Sequence, residues 1–253
     1  MRIQEILLFT FLAMSVSLHA QKGLNFSIET ALCEPQIQIN ESGKYINNSF
    51  SPNGMIGFSV GYFFNEHFSV ETGYNFRREN ITFESTIPEL SFTLGAKPYQ
   101  LHNIPLRANY SIPLGSNDKV RLLFTSGMEF SFIGSSVSYY LGRSSKDPIG
   151  PKTKSDFRFW VNDINKKRDM NVLFLTAFGP QFRLFDVLRL STQFGYTTGF
   201  TDQSEMKFEY EGTPTNGKIQ GTATSRPTFW QALIKLSYKM DFEKEDESVD
   251  YVR

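Results

Sequence analysis

The feature that most constrains this chain is a strict two-residue alternation recurring along most of its length. From Ile56 the even positions read Ile56, Phe58, Val60, Tyr62 and Phe64, with Gly57, Ser59 and Gly61 between them. After Asn65-Glu66 the pattern restarts, with Phe68, Val70, Thr72, Tyr74 and Phe76 set against Ser69, Glu71, Gly73, Asn75 and Arg77. Successive strand residues point to opposite faces, so each segment has one bulky apolar face and one small or charged face. Residues 120–132, 188–200 and 230–242 repeat the pattern, and 24–32, 104–112 and 172–184 complete a set of eight predicted strands.

Which face is outside decides the class. In a β-sandwich or a soluble lipocalin-like barrel the apolar face points inward and the polar face meets water. A membrane barrel inverts this. Here the apolar face is aromatic in nearly every segment, and the other is rich in glycine, serine and isolated charges of both signs. A wet face would carry more runs of Lys, Glu and Thr. Aromatic residues are 15% of the chain, with 25 Phe and 11 Tyr against 2 Trp, which suits a lipid-facing band flanked by aromatic girdles. The sequence therefore predicts an all-β fold, an eight-stranded antiparallel up-and-down transmembrane β-barrel in a bacterial outer membrane.

The connections give a second argument. Short ones at 65–66, 115–119 and 185–187 alternate with long ones at 35–53, 87–97, 141–169 and 201–227. Outer-membrane barrels pair short periplasmic turns with long external loops, which would place both barrel termini in the periplasm. Alternation continues through Met206, Phe208 and Tyr210, opposed by Lys207, Glu209 and Glu211, and Asn216-Gly217 offers a type I′ turn. A membrane strand needs about 9–11 residues. Strands three, five and seven read as longer, so part of the sheet is expected to stand above the membrane.

Residues 1–20 read as a signal peptide: Arg2, an apolar run over 6–16, then Ser17-Leu18-His19-Ala20. Cleavage is expected after Ala20, leaving a barrel over 21–242 and an acidic periplasmic tail over 243–253. The single cysteine, Cys33, rules out an intramolecular disulfide and reads as a small side chain in a strand. The 26 basic residues are balanced by 26 acidic ones, so no global positive field favours a nucleic-acid partner.

Residues 234–242 (IKLSYKMDF) alternate cleanly and close on an aromatic residue, similar to the terminal strand that the barrel-insertion machinery reads. With His19-Ala20-Gln21, the 103–112 strand (NIPLRANYSI), the Gly-x-Gly-x pattern at 57–62 and the 235–242 strand, the chain resembles the PorT-like outer-membrane barrel family of Gram-negative bacteria. The resemblance implies a barrel over essentially the whole mature chain. Some members belong to a protein-secretion apparatus. It supplies no catalytic residues.

Chemistry is sparse. His19 leaves with the signal, His67 opens a strand beside a short turn, and His102 lies near the outer end of the fourth strand. Only His102 is placed for outer-rim catalysis, and no sequence feature sets a serine or carboxylate beside it; a surface or aromatic-belt histidine is the expectation. Two histidines and one cysteine do not make a zinc or copper site. No glycine-rich phosphate loop opens a helix. No catalytic, cofactor or metal residues are therefore expected.

The informative set is the inward charges: Glu29, Glu71, Arg77, Arg107, Arg121, Glu129, Arg183, Arg189, Lys235, Lys239 and Asp241. Eight strands leave an interior just wide enough for side chains, so these should form a salt-bridge network, with the positive ends near the short turns partly wet. The 146–168 loop, with Lys152, Lys154, Arg158, Lys166, Lys167, Arg168 and aromatic Phe157, Phe159 and Trp160, could meet lipopolysaccharide phosphates; a solvated loop is favoured. Ser155-Asp156 could cap a short helix there. The functional expectation is a non-enzymatic barrel that binds outer-membrane lipid and lipopolysaccharide, or an envelope protein partner, through protruding strands and loops. A small pore is the alternative, and an enzyme comes third.

Overall fold

The computed structural model describes residues 23–50, 52–78, 81–86, 93–96, 100–116, 118–134, 158–211 and 217–241. The expected signal peptide, the acidic tail, Asn216 and Ser155-Asp156 lie outside these residues. Thirteen strands follow in order among them: β1 (Gly23–Glu41), β2 (Ile46–Asn48), β3 (Asn53–Phe63), β4 (Phe68–Arg78), β5 (Ile81–Ser85), β6 (Thr93–Ala96), β7 (Gln100–Pro113), β8 (Val120–Ile133), β9 (Arg158–Lys166), β10 (Met170–Arg183), β11 (Leu188–Gly199), β12 (Ser204–Glu211) and β13 (Ile219–Asp241).

Eight of them, in the order β1-β3-β4-β7-β8-β10-β11-β13, form an antiparallel sheet that closes through β1–β13 pairing. Hydrogen-bonded partners traced once around from Gly23 pass Phe63, Ser69, Asn109, Thr125, Ala177, Gly195 and Gln231 and arrive at Cys33, ten residues further along β1. That stagger tilts the strands and fixes a narrow bore. Closure also removes the open edges that would otherwise seek a partner strand.

The inversion read from the sequence is what the barrel displays. Ile28, Leu32, Phe178, Phe194 and Ile234 are each more than half exposed on the outer wall, whereas Glu29, Glu71, Arg107 and Glu129 are at most 3% exposed inside. Such a surface is stable against hydrocarbon. Girdles flank the band. Tyr62, Phe64 and Phe68 contact in series near the short turns, and Tyr74–His102, Phe76–His102 and Tyr196–Trp230 lie near the other end.

The short turns are tight for local reasons. Asn65 Oδ1 accepts from the backbone N–H groups of His67 (2.8 Å) and Phe68 (2.7 Å). Gly115 (φ +95°) and Asp118 (φ +48°) take the left-handed conformation in the β7–β8 turn, a region open to glycine and tolerated by aspartate.

The structure corrects where the extra sheet lies. The third, fifth and seventh barrel strands have only 11, 14 and 12 residues; the first and last have 19 and 23. Much of the expected 35–53 and 201–227 loops is strand, and 158–166 is strand β9 rather than loop. Beyond Cys33↔Asn53, β1 leaves β3 and continues paired only to β13. The register skips at Pro35/Gln36, where Pro227 and Thr228 have no register partner on β1. Prolines lack the N–H that a ladder needs, so the two strands bulge where they leave the barrel. β12 then adds to the outer half of β13, and β9 adds to β12.

This protruding sheet has its own core. Ile46, Met206, Phe208, Tyr210 and Ala223 are buried together at 3% exposure or less, with Ile37, Ile39, Tyr45 and Ile219 packed against them. The Tyr210 hydroxyl donates to Glu41, whose carboxylate also accepts from the N–H groups of Gly43 (3.2 Å) and Ile46 (3.1 Å). Burial first, and then that hydrogen bond, push the Tyr210 hydroxyl well above the usual phenol range, so it stays a donor. β2, β5 and β6 pair into a small separate sheet, of which Ile46 enters this core.

Candidate functional site

Among the described residues two features are candidates for function: the lumen and the protruding sheet. The lumen is layered. Nearest the short turns, Arg121, Arg183, Arg189 and Lys239 project from four strands. Arg183 and Arg189 are direct cross-strand partners, which like charges tolerate only with a counter-ion. Asp118 supplies one, 3.3 Å from Arg121 and 3.7 Å from Arg183. Arg189 and Lys239 lie 5.5 and 5.7 Å from the Phe63 ring centroid. Arg183 is about a third exposed, and the other three are buried.

A neutral layer follows. Gln193 donates to Thr125 (2.8 Å), Thr125 to Asn109 (2.7 Å) and Ser27 to Ser237 (3.0 Å), linking strands across the bore.

The charge cluster sits above it. Arg107 donates from Nη1 to both Glu29 oxygens (2.8 and 3.0 Å) and from Nη2 to Glu129 (2.8 Å), with Glu71 3.6 Å away. Lys235 is hydrogen-bonded to Glu71. The guanidinium fork suits a bridging role, because its donors diverge in one plane. Gly127 lies directly opposite Arg107, and a Cβ there would be 2.2 Å from the Leu106 carbonyl oxygen. Only glycine lets β7 and β8 approach so closely beside the cluster.

The outermost layer differs from the sequence expectation of a polar and small inner face. Ala31, Cys33, Met55, Leu173, Phe229 and Leu233 form a buried apolar cluster inside the barrel, and Arg77 stacks on Phe229 at 3.9 Å. Leu233 and Phe229 sit on the inward face of β13 between charged and polar residues, so an alternation count that follows only the outer row passes over them. Of the sequence-derived set, Glu29, Glu71, Arg107, Glu129 and Lys235 are brought together, Arg77 stacks apart from them, and the Asp241 side chain lies outside the described residues. Cys33 is buried in the apolar layer with Sγ 4.0 Å from Gln231.

His102 sits among girdle rings, its Nδ1 2.5 Å from the Tyr74 hydroxyl. His67 Nδ1 is 2.9 Å from the Ser111 carbonyl oxygen and 3.1 Å from Arg121. It can donate to the first or accept from the second, not both. Among the described residues no group of three or more His, Cys, Asp or Glu side chains could hold a metal ion.

The comparisons with known proteins agree with this geometry. The family model of the outer membrane protein beta-barrel domain matches residues 7–239. The chain belongs to that family. Its place is accordingly the outer membrane, with the exposed apolar wall against lipid. Among solved structures, the outer membrane protein OprG of Pseudomonas aeruginosa is similar at 13% identity and a TM-score of 0.50, over 87% of this chain and 96% of that one. Ail, the attachment invasion locus protein of Yersinia pestis, is similar at 11% identity and a TM-score of 0.39, over 87% and 99%. Likeness at this level concerns the fold alone. No curated protein matches in sequence.

Proposed function

We propose that this outer-membrane barrel is a non-enzymatic binding component whose protruding sheet, not its lumen, is the working surface. The observation that carries the reading is the division of labour between the two. The bore is crossed by the Arg107 cluster and an apolar layer, while a sheet with its own core stands beyond the barrel. A rigid, independently packed platform suits recognition of a protein, a glycan or a neighbouring envelope complex. Membership of a PorT-like group and a role in a secretion complex belong to this proposal, supported by the sequence resemblance.

Single-channel recording on refolded protein in planar bilayers is the direct test. The wild-type barrel is expected to show no steady open-pore conductance, and a steady open level would favour the pore reading instead.

The orientation belongs to the same proposal: short turns in the periplasm, protruding sheet outside. A cysteine at Gln38, exposed on the protruding part of β1, is expected to react with a membrane-impermeant maleimide on intact cells, whereas one at Asp186, in the short β10–β11 turn, reacts only after the envelope is opened. The reverse pattern overturns the orientation. The native Cys33 is 1% exposed and contributes little background.

A further inference from the structure

We infer that the wall built by β1 and β13 docks one molecule of outer-leaflet glycolipid, its acyl part in a groove on the lipid face and its saccharide on the polar face above. The inference rests on the reading of the protruding sheet as an external binding surface.

The lower half of the site is a cavity. An open apolar groove of about 540 Å³ crosses the outer wall, lined among others by Thr30, Leu32, Phe178, Phe194, Ala232 and Ile234. It exists because small residues interrupt the bulky row: Thr30 stands opposite Ile234, and Ala232 lies between Leu32 and Phe194. The Thr30 hydroxyl donates to the Met55 carbonyl oxygen (2.9 Å), so it presents no unsatisfied donor to hydrocarbon. Chain-like apolar matter fits such a groove.

The upper half continues the same rows. On β1 the outward residues Ile28, Thr30 and Leu32 are followed by half-buried Glu34, opposite Trp230, and then by Gln36, Gln38 and Asn40, these last three exposed. On β13 the outward residues Ile234, Ala232 and Trp230 are followed by Arg226, Thr224 and Thr222. Both rows keep their face because the bulge skips two residues of β13, which leaves the parity unchanged. Gln36 pairs with Arg226; Gln38 pairs with Thr224 and Asn40 with Thr222, and these last two pairs set amides beside hydroxyls. Both groups donate and accept, as sugar hydroxyls do. Arg226 is anchored by Asp202 at 2.9 Å.

Continuity of the two halves commits the occupant. At about 3.3 Å per residue, Gln36 stands about 13 Å along the strand from Leu32, across the level where Trp230 stacks on Phe194 at 5.3 Å in the girdle. A lipid whose acyl chain fills the groove must present its head to this amide and hydroxyl face. Lipopolysaccharide carries sugars at that height. A phospholipid would leave the face empty, and a free oligosaccharide would leave the groove empty.

The test uses the purified full-length barrel, with folding checked by heat-modifiable gel migration, and native mass spectrometry to count retained lipid. Its probes are rough lipopolysaccharide, phosphatidylglycerol and the free core oligosaccharide. Retention of rough lipopolysaccharide over phosphatidylglycerol is expected. The triple variant Gln36→Ala, Gln38→Ala, Thr224→Ala should weaken it about tenfold or more, since each lost hydrogen bond contributes modestly, with phosphatidylglycerol retention unchanged. Ala232→Trp, which fills the groove, should weaken it as well. Equal retention of phosphatidylglycerol, tight binding of the free oligosaccharide, or an unchanged triple variant overturns the inference. If the lumen stays non-conducting in that case, the binding-platform reading survives with another ligand; a steady conductance would remove both.

Discussion

Replacing Arg107 with alanine is expected to destabilise the barrel by about 3–5 kcal/mol, the usual result of leaving buried charge uncompensated. Arg107 is the shared partner of Glu29, Glu71 and Glu129, all at most 3% exposed. Without it, Glu29 and Glu129 lose the cation that binds them, and Lys235 stays paired with Glu71. The bore must then admit water or protons, because isolated carboxylates do not persist in a dry interior. Glu129→Ala is the complementary change, since it takes one of the carboxylates from the Arg107 fork.

The measurement is urea unfolding of refolded protein in lipid for both single variants and their double variant. Groups in direct contact should couple by about 0.5–3 kcal/mol. Strict additivity would separate the two residues energetically despite their 2.8 Å contact. Wild-type stability in every variant would mean the lumen is wet and the network contributes nothing. Conductance of Arg107→Ala is a second readout, with transient openings expected where the wild type has none.

The second large effect is on the opposite face. Phe124, Phe194 and Ile234 are 40%, 52% and 51% exposed on the outer wall. Arginine at any of them should cost about 2–4 kcal/mol if the site lies near the bilayer midplane, falling towards the interfaces. Ser191→Thr, on the lumen face of the same wall, adds one methyl group and should cost far less. Unfolding in lipid reports the difference. Small and equal losses at all four positions would contradict a hydrocarbon environment for the outer wall.

The alternating rows made the barrel legible because a strand has only two faces. Once Phe58, Phe194 and Ile234 share a face with other bulky residues, their neighbours must line the other side. The short-long order of connections then gave the up-and-down topology, and the inward parity of Glu29, Arg107 and Glu129 marked a charged interior. Pairings were another matter. Sequence reading expected a salt-bridge network without its pairings; Glu71 has Arg107 at 3.6 Å and takes its hydrogen bond from Lys235 of the last strand. That contact depends on closure and on the ten-residue stagger, neither of which any single strand encodes.

The protruding sheet shows the same boundary. Met206, Phe208 and Tyr210 continue the alternation that begins at Leu188, and by sequence they read as one long strand. After the break at 200–203 the strand pairs instead with the outer half of β13, and its apolar row covers a core rather than lipid. Pro35 and Pro227 each lack a ladder donor, but only their approach across β1 and β13 turns them into the bulge where the sheet leaves the barrel.

Local chemistry thus determined the strands, their faces and the inverted surface, because side-chain alternation is a property of each segment alone. Tertiary structure decided the layering of the lumen, the Arg107 partners and the external core. Those depend on which strands meet and at what height, and that is set by the closed sheet as a whole.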